Sequence, residues 1–154
     1  MAALSFPRLV ASGFGTGFFP VVPGTVASLV AVVIGAGFLS VSPFALPIAV
    51  LVAALGGVWA IGAARGGDDP GWVVVDEFAG QWIAMLSLVR PTLAGLAAAF
   101  VLFRFLDIVK PGPVGWADRQ RGPAAVMADD LIAGAIAAAI LWAGQSRWPG
   151  VLGG

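Results

Sequence analysis

No charged side chain stands between Arg8 and Arg65. That run is far longer than the ~20 residues a helix needs to cross the hydrocarbon core of a bilayer, so it reads as more than one crossing. Ser40-Val41-Ser42-Pro43 supplies a turn in its middle, and two transmembrane helices are expected over about 25–40 and 44–63. Three weaker apolar segments follow, over about 73–89, 92–109 and 126–143, each with acids near one end. Arg90-Pro91, Lys110-Pro111-Gly112-Pro113 and Arg147-Trp148-Pro149-Gly150 separate or close them. Trp142 and Trp148 suit an interfacial belt. The expected fold is all-α: a polytopic membrane helix bundle of about five helices, one integral-membrane domain over residues 1–154. A Gly/Pro-rich N-terminal loop or re-entrant segment precedes the first crossing. Glycines at 13, 15 and 17 break the N-terminal stretch too often for the apolar core of a signal peptide.

Five crossings would place Arg8, Arg65, Lys110, Arg119 and Arg121 on one side and Arg90 and Arg147 on the other. The positive-inside rule puts the richer side in the cytoplasm. Eight basic and eight acidic side chains cancel, which argues against a nucleic-acid partner. The chain has no Cys, His or Tyr. Thiol and imidazole chemistry are therefore excluded, and metal ligands must be oxygens, which favours Mg²⁺ or Mn²⁺ with Ca²⁺ behind.

Against this background Asp76-Glu77 and Asp129-Asp130 stand out as adjacent acids in apolar surroundings, with a fifth acid at Asp107. An ionised acid in lipid costs several kcal/mol or more, so it is a functional candidate by default. The expected topology brings all five to the cytoplasmic face. Clustered carboxylates repel unless protonated or bridged by cations, and a divalent-cation site resolves the conflict. The plainer alternative is that one acid of each pair caps its helix. Asp76, Gly80 and Ala84 share a face, as do Asp130, Gly134 and Ala138. Such small-residue stripes allow close helix approach within or between chains. Arg104 and Asp107 are i, i+3 and form either a plain intramembrane ion pair or part of a site. Lys110, Arg119 and Arg121 are either the topology signal alone or, with metal, a binding set for a phosphate ester.

The segment Gly13-Phe14-Gly15-Thr16-Gly17 through Pro23-Gly24-Thr25 matches neither a dinucleotide fingerprint nor a P-loop. Pro23-Gly24-Thr25 reads as an N-cap, with Ser28 one turn later. Two readings stand: an anion at the helix N-terminus, or an interfacial loop with no ligand.

Three blocks in register resemble the phosphatidylglycerophosphatase A family over most of the chain. The first is Gly13–Gly17 with Pro20 and Pro23-Gly24-Thr25. The second is Val75-Asp76-Glu77-Phe78 with Gly80. The third is Phe103-Arg104-Phe105-Leu106-Asp107-Ile108-Val109-Lys110-Pro111 with Pro113, then Asp118-Arg119, then Met127-Ala128-Asp129-Asp130-Leu131 with Ala133-Gly134. One departure is Gly122-Pro123-Ala124-Ala125-Val126, where the family has a Gly-Gly stretch. The resemblance implies a Mg²⁺-dependent enzyme of the bacterial inner membrane, with its active site facing the cytoplasm. It would hydrolyse the phosphomonoester of the lipid phosphatidylglycerophosphate to phosphatidylglycerol in glycerophospholipid synthesis. It implies Asp76, Glu77, Asp107, Asp129 and Asp130 as the catalytic group, the first two and last two holding metal, with Asp107 as a ligand or partner. Arg104, Lys110, Arg119, Gly15, Thr16 and Thr25 would bind substrate. Water or an Asp side chain could be the nucleophile.

Two other classes compete. A cation or proton transporter also uses intramembrane acids, but needs them along a path through the bilayer rather than at one face. A non-catalytic subunit of a membrane complex needs neither metal nor phosphate release.

Overall fold

The computed structural model describes residues 5–64, 70–148 and 150–154, and it is helical throughout, with seven α-helices and no strand among those residues. Arg65, one of the residues used to orient the chain, lies outside the described set. In chain order the helices are α1 (Phe6–Ala11), α2 (Pro23–Val41), α3 (Ala45–Ala63), α4 (Val75–Met85), α5 (Leu93–Val109), α6 (Pro113–Asp118) and α7 (Pro123–Gln145). Five of them are the expected helices. The six-residue α1 and α6 are additional, each too short to show a periodic pattern in sequence.

Among the described residues, only α2, α3 and α7 are long and apolar enough to cross a membrane as single helices. The expectation of five continuous crossings is corrected at α4, which ends at Met85 after 11 residues, a rise of about 16 Å. Irregular chain from 86 to 92 carries on to the level of the last turn of α7, where the Gln145 amide donates to the Ser87 carbonyl at 2.7 Å. The C-terminal tail folds over this segment: Val89 and Arg90 both donate their N–H to the Gly153 carbonyl, at 2.6 and 3.0 Å. Non-helical backbone within a bilayer is tolerated where protein satisfies it in this way. The 17-residue α5 rises about 25 Å and starts from Thr92, whose hydroxyl caps the Gly95 N–H.

The centre of the bundle is the crossing of α4 and α7. A Cβ on Gly80 would meet the Asp130 carbonyl at 2.6 Å and the Phe103 ring at 2.5 Å, and one on Gly134 would collide with the Gly80 carbonyl. The two helices therefore touch backbone to backbone. The remaining contact comes from Ala133, Ala137 and Leu141 of α7 with Ala84, Met85 and Phe103. The opposite face of α4 packs on α2, with Ala27 and Ala31 against Val74 and Phe78. Trp82 donates its indole N–H to the Ala31 carbonyl at 2.8 Å and stands edge-on to Phe38 and Phe78. Beyond these residues α2 and α3 diverge around an apolar groove of about 640 Å³, with Val75, Phe78 and Trp82 in its wall.

Two substitutions test this packing. Gly134→Ala should cost about 1–3 kcal/mol by forcing the crossing apart, lowering the thermal midpoint in detergent. Gln81 on α4 is fully buried, and neither end of its amide has a partner among the described residues. Gln81→Met keeps the volume and removes the polar atoms, so it should raise the midpoint by roughly 2–4 °C for each kcal/mol of relief. A lower midpoint for Gln81→Met would show that the amide is satisfied.

Candidate active site

Three helices deliver acids to one cleft. Asp76 and Glu77 sit in the first turn of α4, Asp107 in the last turn of α5, and Asp129 and Asp130 in the second turn of α7. The capping alternative does not hold for Asp129 and Asp130, while Asp76 keeps part of it, since its Oδ1 accepts the first-turn Glu77 N–H at 3.1 Å. The N-cap of α4 is Val74 and that of α7 is Gly122, neither with a side-chain cap. Asp129 and Asp130 lie well inside a helix that starts at Pro123.

The cleft has a volume of about 330 Å³. It is lined by all five acids, by Arg104 and Lys110, and by Pro23 and Gly24 at the start of α2. Acids outnumber bases five to two along its lining. Asp76, Asp129 and Asp130 are only 7%, 6% and 3% exposed, so solvent does little to relieve that excess.

Both cations are committed to carboxylates. Arg104 Nη1 donates to Asp107 Oδ2 at 2.5 Å. Lys110 Nζ reaches Asp129 Oδ2 and Asp118 Oδ1, each at 2.5 Å. Lys110 ends α5 in the left-handed conformation at φ 51°, and its ion pairs join α5, α6 and α7. Burial works against the Lys110 charge, but its two carboxylate partners outweigh that effect and hold the ammonium well above the ordinary lysine range.

Three polar atoms at the cleft are buried without a partner among the described residues: Glu77 Oε2, Asp130 Oδ2 and Arg104 Nε. Buried polar atoms are normally paired, so unpaired ones in a polar cleft are open positions for a ligand. The donor set suits hard divalent cations. Asp76, Glu77 and Asp130 offer oxygens within 4.8 Å of one another, and so do Asp107, Asp129 and Asp130.

The start of α2 also faces the cleft. Its N-cap is Val22, in the left-handed conformation at φ 46°, and Pro23 opens the helix. The helix therefore begins earlier than the Pro23-Gly24-Thr25 cap expected from sequence. Gly24 lies against the Glu77 carboxylate, and a Cβ there would push that side chain from its place.

Other residues expected at the site lie elsewhere. Thr25, Gly15, Thr16 and Arg119 are not among the cleft-lining residues. The Thr16 hydroxyl donates to the Gly13 carbonyl at 2.9 Å, inside its own loop. That loop packs on the start of α4, with Gly13 close to Val74 and Phe78, and the Ala11 carbonyl at the end of α1 accepts the Val74 N–H at 3.0 Å. Arg119 is exposed at the end of α6. Gly71, Val73 and Ile108 complete the lining and carry no chemical signature in sequence. Asp118 enters through Lys110, and its place in the third sequence block was its one signal.

Apolar membrane-length helices and a carboxylate-lined cleft at one end define an integral-membrane helical bundle with a polar site. Comparison with known proteins gives the family. Residues 9–145 match the family described as Phosphatidylglycerophosphatase A. An Escherichia coli (strain K12) protein of that name is 39% identical over 147 residues, covering 92% of this chain and 85% of its own length. A Haemophilus influenzae protein of the same name is 33% identical, covering 90% and 88%. A Bacteroides thetaiotaomicron relative, whose description proposes a phosphatidylinositol-3-phosphatase, is 37% identical, covering 83% and 86%. No solved structure gives a significant match. The chain belongs to the phosphatidylglycerophosphatase A family and is a membrane phosphatase.

Lys110 carries a testable part of this geometry. Lys110→Met should loosen α6, still packed through Val114 and Ala117, and leave Asp129 without its cation. Amide exchange across 113–120 should then quicken by on the order of tenfold, equivalent to about 1.4 kcal/mol. Lys110→Arg should keep most of the protection.

Proposed function

We propose that the protein hydrolyses the phosphomonoester of phosphatidylglycerophosphate to phosphatidylglycerol and phosphate, with Mg²⁺ held by the cleft carboxylates. One observation carries the reading. Five acids and two cations from three helices meet in a single cleft with an anionic excess and unpartnered oxygens. A phosphomonoester dianion would be repelled from such a cleft unless divalent cations first reversed its charge. When bound, Mg²⁺ would withdraw charge from the phosphoryl oxygens and make water a stronger nucleophile.

The chain's own residues supply the rest. Asp76, Glu77, Asp129 and Asp130, with Asp107 beside them, hold and orient the cation ligands. Arg104, anchored by Asp107, keeps Nε free to donate to a phosphoryl oxygen. The N-terminus of α2, at Pro23 and Gly24, adds the positive end of a 19-residue helix to the same cleft. A cleft of about 330 Å³ takes a phosphorylated head group and leaves the acyl chains in lipid.

The site belongs on the cytoplasmic side of the bacterial inner membrane. Lys110 lines the cleft, Arg119 and Arg121 follow it around α6, and Arg8 packs on Trp72 next to the cleft-lining Gly71 and Val73. Arg90 and Arg147 lie at the opposite end. This asymmetry supports the orientation.

The test is phosphate release from phosphatidylglycerophosphate by purified protein. Mg²⁺ should support release and a chelator should abolish it. Asp130→Asn should lower kcat by at least about 10²-fold without loss of folded protein. Metal-independent release, or near-normal turnover by Asp130→Asn, would overturn the metal assignment. If phosphatidylinositol 3-phosphate gave the higher kcat/KM, the substrate assignment would move to that lipid.

A further inference from the structure

The cleft carboxylates fall into two groups rather than one. Asp76, Glu77 and Asp130 form the first, and Asp107, Asp129 and Asp130 form the second. Within each group the ligand atoms lie within 4.8 Å of one another. Around one octahedral Mg²⁺ the oxygens stand no more than about 4.2 Å apart, at twice the ~2.1 Å bond length. Each group therefore closes on one ion with a small adjustment. Asp130 is common to both, and a single carboxylate can bridge two cations about 3.5–4 Å apart.

The hydrogen bonding bears on this independently of the clustering. Asp130 is 3% exposed, and its Oδ2 has no partner among the described residues. Glu77 Oε2 is unpartnered in the same way. Asp107 and Asp129 instead each give Oδ2 to a cation, Arg104 and Lys110 respectively. That contact fixes the carboxylate and leaves Oδ1 to serve as ligand, the usual relation between a metal ligand and its outer partner.

The groups also differ in charge. Arg104 faces both, with Nη1 on Asp107 and Nη2 beside Gly24, where the Glu77 carboxylate lies. Lys110 belongs to the second group alone, 2.5 Å from the buried Asp129; its other partner, Asp118, is 41% exposed, so solvent screens the part of the charge that Asp118 offsets. Its ammonium opposes a second positive ion there.

We propose that the cleft holds two divalent cations sharing Asp130 as a bridging ligand. The cation at Asp76 and Glu77 binds more tightly than the cation at Asp107 and Asp129. The proposal rests on the metal-dependent phosphatase reading and specifies its site. The tight ion stays with the protein. The weak one occupies the position nearest Lys110, where an arriving phosphate completes its neutralisation.

Mn²⁺ alone, titrated into the purified full-length protein in detergent and followed by electron paramagnetic resonance, tests this without turnover. The expected result is two Mn²⁺ per chain, bound with affinities at least about tenfold apart. At saturation the signal should be that of a spin-coupled pair, with hyperfine spacing half that of an isolated ion. Asp129→Asn should lose the weak phase and keep the tight one, and Asp76→Asn should lose the tight phase. Asp130→Asn should abolish the coupling. One ion per chain at saturation, or two without coupling, overturns the proposal, and the wild-type spectrum alone decides this if a variant fails to fold. A single ion in protein that still releases phosphate from lipid in a metal-dependent way would overturn the pair and leave the phosphatase reading standing. Absence of both binding and metal-dependent release would overturn both.

Discussion

Five carboxylates held close together, away from water, repel one another, and most of this structure is organised around that repulsion. The protein offsets it in part with two cationic side chains, each bound to an acid, and with the positive end of α2. It does not offset it fully, since acids outnumber bases five to two along the cleft. A fold that only needed stability would replace such a group with apolar side chains at little loss. Retaining it, with oxygens left unpaired, fits a functional site better than a stabilising one.

The helix α4 is polar on one side and apolar on the other. Its polar side presents Asp76 and Glu77 to the cleft and Gly80 to α7. Its other side presents Val75, Phe78 and Trp82 to the apolar groove beside α2 and α3. Because α4 stops at Met85, its far end depends on distant chain: Gln145 and the C-terminal Gly153 satisfy the backbone that follows. The position of the acids is therefore secured from both ends, by the loop after α1 at one and by the C-terminus at the other.

This division also explains what the sequence could show. Acids in apolar surroundings advertise themselves, and all five cleft acids were legible, as were Arg104 and Lys110. The charge-free run before Arg65 made α2 and α3 legible for the same reason. The end of α4 was not legible: Leu86, Ser87, Leu88 and Val89 carry no stop signal, and the partners that end the helix lie some sixty residues away. Polar residues in glycine-rich loops were legible as a motif but not as contacts. Thr16 spends its hydroxyl locally and Arg119 faces solvent, while the side-chain-free Gly24 reaches the cleft.

The backbone contact between Gly80 and Gly134 has a consequence for how such a site can vary. Where side chains separate two helices, substitution can adjust their spacing by fractions of an ångström. Here no side chain intervenes, and the spacing is set by the atomic radii of the peptide units themselves. The contact works as a ruler of fixed length between the two acid pairs. Any change in the cleft's width has to come from the residues that line it without joining that contact, such as Gly71 and Ile108.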